Sequence, residues 1–487
     1  MCAEFSLVGP VVRWMHTKST SEQWAQHHFG GAALGDSRRT TRLVRILSRV
    51  AENPAGKVSE VFASPRERDA AYDFIERDQT RLVDLERAVG RATAQVCAGA
   101  GRVRIAVDGS SANIVDGTGE KGLGRIGTDA AGAQGLKVIS ALAVDKAGAT
   151  VGLLAQSWWA RPKAPRRTRR QKDAERARKK PAQKEVQHWL DVIELSAERL
   201  AEVDALGSFQ LDREADAWPV LLRLHASGHF FTVRSAWDRV VQATGRDKQY
   251  LRAVMAATPV LALYELEVPA RGGRTARRAQ MAMRATEVTL SMRDKRTKKR
   301  HPLRVRVVWV REQGTTVPGD KPLDWMLLTN APIDSVDAIR DVVSGYSTRW
   351  RIEEFHKTWK SGACCVEDTQ LRSRNAIVRW VTILAVVATR IERLKRLART
   401  EPERPAGDEL SPVEIEVLVL LKRRYKKRTE TVPDAPTMAQ AVLWMADLGG
   451  YTGKSSGGPP GSITIGRGLE RLKMGVEAVL ALRRAGR

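Results

Sequence analysis

Two short β-rich runs that each stop on an aspartate, Val103 to Asp108 and Phe209 to Asp212, constrain the fold of this chain more than any other feature. The first, Val103-Arg104-Ile105-Ala106-Val107-Asp108, is followed by Gly109-Ser110-Ser111, which reads as a turn. Lys137 to Val144 and Thr150 to Ala155 read as the next two strands and make a meander. Phe209-Gln210-Leu211-Asp212 and Phe230-Phe231-Thr232-Val233-Arg234 then flank an amphipathic helix through Trp218, Leu221, Leu222 and Leu224. Three strands followed by alternating helix and strand predict an α/β architecture with a mixed sheet. Acids at strand C-terminal ends lie where such sheets build their sites. Residues 240–335 add further β-structure, with Glu265 to Val268 and Val305 to Val310 as strands.

Helical, basic segments flank this core. Asp36 or Ser37 is the expected N-cap of a helix that opens with Arg38, Arg39 and Arg42 and continues through Leu43, Val44, Ile46, Leu47 and Val50. Arginines at a helix N-terminus suit phosphate contact; a solvated arginine cluster is the alternative. Beyond about residue 375, Ile377 to Leu397 reads as a long amphipathic helix. The basic cluster Lys422 to Arg428, a helix over 437–446, a glycine-rich link at 449–461 and a terminal helix ending near Arg483 follow. At 487 residues the chain exceeds one core. The boundaries read as a helical domain over 1–81, a sheet domain over 82–375 with its β insertion at about 240–335, and a helical domain over 376–487.

The net charge of +26, from 82 Lys and Arg against 56 Asp and Glu, points to a polyanionic partner, nucleic acid first. No apolar run reaches membrane-spanning length and Met1 to Val12 lacks the pattern of a signal peptide, so a soluble, cytoplasmic protein without a membrane partner is expected. Residues 161–184 hold 12 Lys and Arg against 2 Asp and Glu, suited to flanking DNA or to a solvated loop. The eight histidines and four cysteines show no ligand-spaced cluster, which speaks against zinc. No Gly-x4-Gly-Lys-Ser/Thr loop appears, so no nucleotide cofactor is expected.

One further stretch carries chemistry. Read as one helix at about 100° per residue, residues 346–360 place Tyr346, Arg349, Glu353 and Lys360 in a stripe roughly 60° wide, with Ile352, Phe355 and Trp359 opposite. A phenol, two cations and a carboxylate in single file suit a phosphate held beside a metal.

This stripe resembles the Tyr-x2-Arg-x3-Glu-x6-Lys signature of the cut-and-paste bacterial transposases, in the insertion-sequence family typified by transposon Tn five. Ile105 to Asp108 and Leu211 to Asp216 are similar to that family's two acidic motifs. Segments 32–40, 150–154, 231–235 and 323–329 are similar in the same order, so that the resemblance covers about 22–475. It implies a ribonuclease-H-like, retroviral-integrase-like catalytic core with a β-rich insertion, an N-terminal DNA end-binding domain and a C-terminal dimerisation domain.

The resemblance also implies a site. Asp108, Asp212 and Glu353 would be the catalytic and metal-binding residues, holding two Mg²⁺, with Mn²⁺ as a substitute. Tyr346, Arg349, Lys360 and Arg234 would hold phosphate. Glu214 and Asp216 read as ion-pair partners and His356 as a packing or capping residue. Trp325 lies 21 residues before Tyr346, the spacing at which the family places a tryptophan against a flipped base; a core tryptophan is the other reading. The implied partners are double-stranded DNA, both terminal repeats and target, and a second copy in a paired-end homodimer. The implied activity is Mg-dependent excision, through a hairpin, and strand transfer. A nuclease of the same fold without strand transfer and a non-catalytic DNA-binding copy are the rival readings.

Overall fold

The computed structural model describes residues 21–485 apart from stretches within 128–132, 163–183, 242–247, 269–274, 295–296, 315–319, 426–428 and 454–457. Most of the basic segment 161–184, part of the cluster 422–428, part of the link 449–461 and the N-terminal stretch from Met1 to Val12 lie outside the described residues.

Five helices come first: α1 Ser21–Phe29, α2 Ser37–Glu52, α3 Val58–Val61, α4 Pro65–Glu76 and α5 Leu82–Cys97. Asp36 is the N-cap of α2, its carboxylate accepting the Arg38 amide at 2.8 Å. The sheet then begins with β1 Arg102–Asn113, β2 Gly124–Arg125, β3 Gln134–Val144 and β4 Thr150–Trp159. After α6 Val186–Ala201 come β5 Leu206–Leu211, α7 Trp218–Ala226 and β6 Phe230–Arg234. The insertion supplies β7 Val240–Val241, β8 Gln249–Tyr250, α8 Leu251–Ala257, β9 Ala262–Val268, β10 Arg277–Arg293, β11 Arg300–Glu312 and β12 Asp324–Thr329. The remaining helices are α9 Val336–Ser347, α10 Trp350–Lys360, α11 Arg374–Thr400, α12 Pro412–Tyr425, α13 Met438–Leu448 and α14 Ser462–Arg484.

The strands form one mixed sheet in the order β2-β3-β1-β5-β6-β12-β11-β10-β7-β8, with β4 added on β3 and β9 on β10. β1, β5 and β6 run parallel, while β3, β12, β11 and β10 pair antiparallel. The insertion is thus a continuation of the core sheet through β12, which pairs with β6 at Leu327↔Arg234.

The pleat of β1 divides the interior in two. Val103, Ile105 and Val107 face a cluster with α6, α7 and the turn-side half of the long β10–β11 hairpin. Ala106 and Ala112 face the opposite cluster, which also holds Ile352, Phe355 and Trp359 of α10, most of α11, and the buried faces of α2, α4, α13 and α14. Burying period-2 and period-3.6 apolar sets against one another is what fixes these elements.

Two sequence readings change. β1 does not end in a turn after Asp108 but continues to Asn113, because β3 goes on pairing with it through Gly135↔Asn113. Residues 346–360 are not one helix: α9 ends at Ser347, and Arg349 N to Tyr346 O (3.0 Å) and Ile352 N to Arg349 O (3.1 Å) make a tight i→i+3 turn before α10. That turn advances the chain by about 120° per residue and rotates Tyr346 away from the line of Glu353.

The helical flanks close over α10 and the loop behind it. Trp380 Nε1 donates to the Gly56 carbonyl at 2.7 Å, and a Cβ at Gly56 would stand 1.9 Å from the Cys365 carbonyl oxygen. Gly56→Ala is therefore expected to force two backbones apart and cost about 2–3 kcal/mol. Gly31→Ala, where a Cβ meets nothing within 4 Å, is expected to stay within about 0.5 kcal/mol of the parent. Thermal unfolding of the two variants checks the contrast.

Candidate active site

Parallel pairing of β1 with β5 stops at Val107↔Leu211, so the next residues on the two strands, Asp108 and Asp212, stand side by side where the strands part. Asp108 shares a face with Ala106 and is directed toward α10. Asp212 caps the 3-10 turn Arg213–Ala215, accepting the Glu214 amide at 2.8 Å. Glu353 lies in the first turn of α10, on the side away from Ile352, Phe355 and Trp359. Trp359 is wholly buried and donates from Nε1 to the Val381 carbonyl at 2.8 Å, which pins α10 lengthwise and sets the height of Glu353.

Arg349 connects the acids. Its Nη1 lies 3.2 Å from Asp108 Oδ2 and its Nη2 lies 2.6 Å from Glu353 Oε1. Even so, the Asp108 carboxyl is pushed up to about 7. Burial is the largest cause and the neighbouring Asp212 charge the next, with Glu353 adding to both; Arg349 and the Gly109 N–H pull the other way. Negative charge is thus stored at this point beyond what the protein's own cation neutralises.

An open cleft of about 380 Å³ lies above, lined by Asp108, Gly109, Ser110, Glu353, His356, Lys357, Lys360 and Ser361. Lys360 is 4.0 Å from Glu367 and half-buried. Lys357 adds an exposed cation that the spacing signature passed over, although i+4 from Glu353 was the signal for it. His356 is buried and its pKa is pushed down to about 3 by burial, so it is neutral near pH 7 and a poor base.

The remaining candidates fall in a second layer. Tyr346 is buried, and its hydroxyl hydrogen-bonds with Arg349 and Arg234. Burial raises its pKa. Its ring is packed in the core, while its hydroxyl stays on Arg349 and within electrostatic reach of Asp212. Arg234 also donates to the Asp324 carbonyl at 2.8 Å. Trp325 is half-buried and meets the Tyr346 ring edge-on at 5.6 Å. On α2, Arg38 folds back on Asp36 at 3.1 Å yet stays 91% exposed, Arg39 donates to the Leu34 carbonyl, and Arg42 is half-buried. In α12, by contrast, Lys422 pairs with Glu430 and Asp447, and Arg423 with Asp434.

As a donor set, three carboxylates from three elements suit hard divalent cations. Among the described residues no three His, Cys, Asp or Glu side chains converge closely enough to hold one ion. The Arg349 guanidinium between Asp108 and Glu353 accounts for the separation of those two.

The raised Asp108 pKa carries a sign. Its charged form is disfavoured in the folded state, so the penalty is absent below the ordinary aspartate range, grows as pH rises from about 4 to about 7, and is complete above. Asp108→Asn is expected to raise the thermal midpoint in metal-free buffer at pH 8, with a smaller gain near pH 4.5. A gain that is equal at both values, or larger in acid, would contradict the charge account.

Residues 21–80 match the family model described as Transposase DNA-binding, and residues 234–390 match that described as Transposase DDE domain. The first match spans α1 to α4 with Arg38, Arg39 and Arg42; the second spans Glu353 and starts beyond Asp108 and Asp212. The DDE match implies a ribonuclease-H-like fold, in keeping with the mixed sheet. Together the two matches support a DNA transposase of the DDE type, with DNA as its partner.

Proposed function

We propose that the chain is a cut-and-paste transposase of the insertion-sequence group typified by transposon Tn five, and that Asp108, Asp212 and Glu353 are its metal-binding catalytic residues. It binds the terminal repeats of a mobile element, cleaves them, excises the element through a hairpin and joins the 3′ ends to target DNA. The observation that carries this is the coupled set of carboxylates around Arg349, with Asp108 held near 7 by burial and by its acidic neighbours. Charge stored in this way is relieved when a cation arrives, and it is costly otherwise.

Mg²⁺ or Mn²⁺, two per site, supplies neutralisation of the phosphate and activation of the attacking water or 3′-hydroxyl. The chain's own groups do the rest. Asp108, Asp212 and Glu353 would hold these cations, and the Arg349 guanidinium beside them would grip a phosphate oxygen with two parallel donors. Lys357 and Lys360 line the cleft as further phosphate contacts. Tyr346 and Arg234 hold Arg349 and Asp324 in place from behind. Trp325, packed edge-on to Tyr346, is the surface for a base extruded at the cleaved end, which would relieve the tight turn of a hairpin. Residues 1–81 serve as the end-binding domain, 82–375 as the catalytic domain and 376–487 as the dimerisation domain of a paired-end homodimer. The protein works in the bacterial cytoplasm, on the nucleoid.

Two experiments test the reading. Asp108→Ala, Asp212→Ala and Glu353→Ala are each expected to reduce cleavage in a plasmid excision assay to background while leaving end binding measurable. EDTA, or Ca²⁺ in place of Mg²⁺, is expected to do the same to the parent; normal turnover in EDTA would sink the mechanism. Separately, Arg38→Ala, Arg39→Ala and Arg42→Ala should each weaken end binding and lower the slope of log K against log salt by about 0.9 per lost phosphate contact. Unchanged slopes in all three would return these arginines to the solvated reading.

A further inference from the structure

Asp216 lies four residues beyond Asp212 and its side chain is wholly buried. An uncompensated carboxylate at such a depth costs several kcal/mol. Here it is fully employed, and almost everything it holds belongs to one loop. Ser235 Oγ donates to it at 3.2 Å and the Ala236 amide at 2.7 Å, and Arg239 forms an ion pair with it while also donating to the Asp216 carbonyl at 3.0 Å. The same loop is tied at both ends: Ser235 N donates to the Met326 carbonyl at 2.7 Å, and Leu251 N to the Arg239 carbonyl at 2.8 Å. Between them, Asp238 accepts the Arg252 amide at 2.8 Å.

The residue this clamp presents is Trp237, which is 66% exposed, more than any other tryptophan among the described residues. A loop pinned from below with its largest apolar ring in water is built to offer that ring. The loop starts directly after Arg234, at the end of the sheet where Asp212 stands. Two cations stand at its start, the exposed Arg213 and the half-buried Arg234, within electrostatic reach of one another, while Arg252 is paired with Asp324 at 2.9 Å. An apolar protein partner would gain nothing from that rim. A ligand with flat aromatic faces and negative charge between them gains from both features.

We propose that Trp237 is a stacking platform for an unpaired DNA base at the edge of the carboxylate cleft, with the buried Asp216–Arg239 pair holding the platform in place. The proposal rests on the reading of the chain as a DNA-processing enzyme and adds a preference for locally unpaired DNA. Stacking on an aromatic ring is sequence-tolerant, because every base has a π-face.

The test uses two fluorescent duplexes of equal length carrying the element end, one fully paired and one with a short unpaired stretch beside the cleavage position. Binding to the full chain is measured in EDTA at one salt concentration, so that no cleavage intervenes. Trp237→Ala is expected to lose about 5- to 100-fold in affinity for the partly unpaired duplex and little for the paired one. Trp237→Phe should recover most of the difference, which a merely structural role would not predict. Equal losses on both duplexes, no loss on either, or a phenylalanine variant as weak as the alanine one would overturn the proposal. So would an alanine variant that fails to fold, because the ring would then be part of the core. If the parent binds neither duplex, the DNA-processing reading itself fails; if it binds both and the variants do not discriminate, only the platform falls.

Discussion

Everything at the cleft depends on how firmly α10 is seated. Its apolar face is not merely covered: Phe355 and Trp359 are fully enclosed, Trp359 packs near Trp158 at 5.5 Å, and the indole N–H is anchored on α11. Thr358 adds a buried hydrogen bond to Glu392, which Lys395 neutralises at 2.6 Å. Burial of an aromatic side chain contributes roughly 2–3 kcal/mol, and its cost when truncated is larger still. The helix can therefore carry Glu353 toward Asp108 against the repulsion between them. A helix held only by surface ion pairs, worth at most about 1 kcal/mol each, would slide to relieve that repulsion.

Arg349 is the counterweight. It sits in the turn that breaks the helix, so its backbone is set by α9 on one side and α10 on the other, and its guanidinium reaches acids from two separate elements. A guanidinium stays charged at any working pH and offers a planar fork. It offsets part of the cost of gathering these acids, while burial and the Asp212 charge still hold the Asp108 pKa up. A lysine would place the same charge on one atom, without a rigid fork that meets Asp108 and Glu353 through separate nitrogens.

Much of this arrangement was legible in the sequence because it depends on short periods. Alternation along Val103 to Asp108 put Asp108 on the face of Ala106, and the spacing of Ile352, Phe355 and Trp359 put Glu353 on the other side of its helix. The strand end at Arg234 and the cap at Asp36, one of the two residues expected for it, also came from local pattern. What was not legible depends on partners far away in the chain. Gly109 reads as a turn until β3 pairs with it at Ile139. Tyr346 reads as one of a polar stripe with Arg349, Glu353 and Lys360 until the fold packs its ring against Trp325. Asp216 reads as an ion-pair partner, which it is, but only the fold supplies its cation, Arg239, 23 residues on. The basic runs behave likewise: Lys422 and Arg423 are paired with acids on neighbouring segments, while Arg38 stays largely exposed, and nothing within either run distinguishes the two cases.

The flanking helices bear on the site through shared packing and not through a linker. α2 and α4 lie in the same apolar cluster as α10 and α11, and Arg379 of α11 donates to the Ile75 carbonyl at the end of α4 at 2.8 Å. Arg49, on α2, reaches Glu477 on α14 at 2.9 Å. A ligand gripped by the exposed N-terminus of α2 is consequently held at a fixed offset from Glu353, set by interlocked side chains that resist compression. Flexible tethering would let the two ends wander relative to one another and would dilute the advantage of orientation, which in catalysis is worth several kcal/mol. The tight approach of Gly56 to Cys365 follows from the same demand, since only a residue without a side chain lets the N-terminal helices come that close to the loop that ends α10.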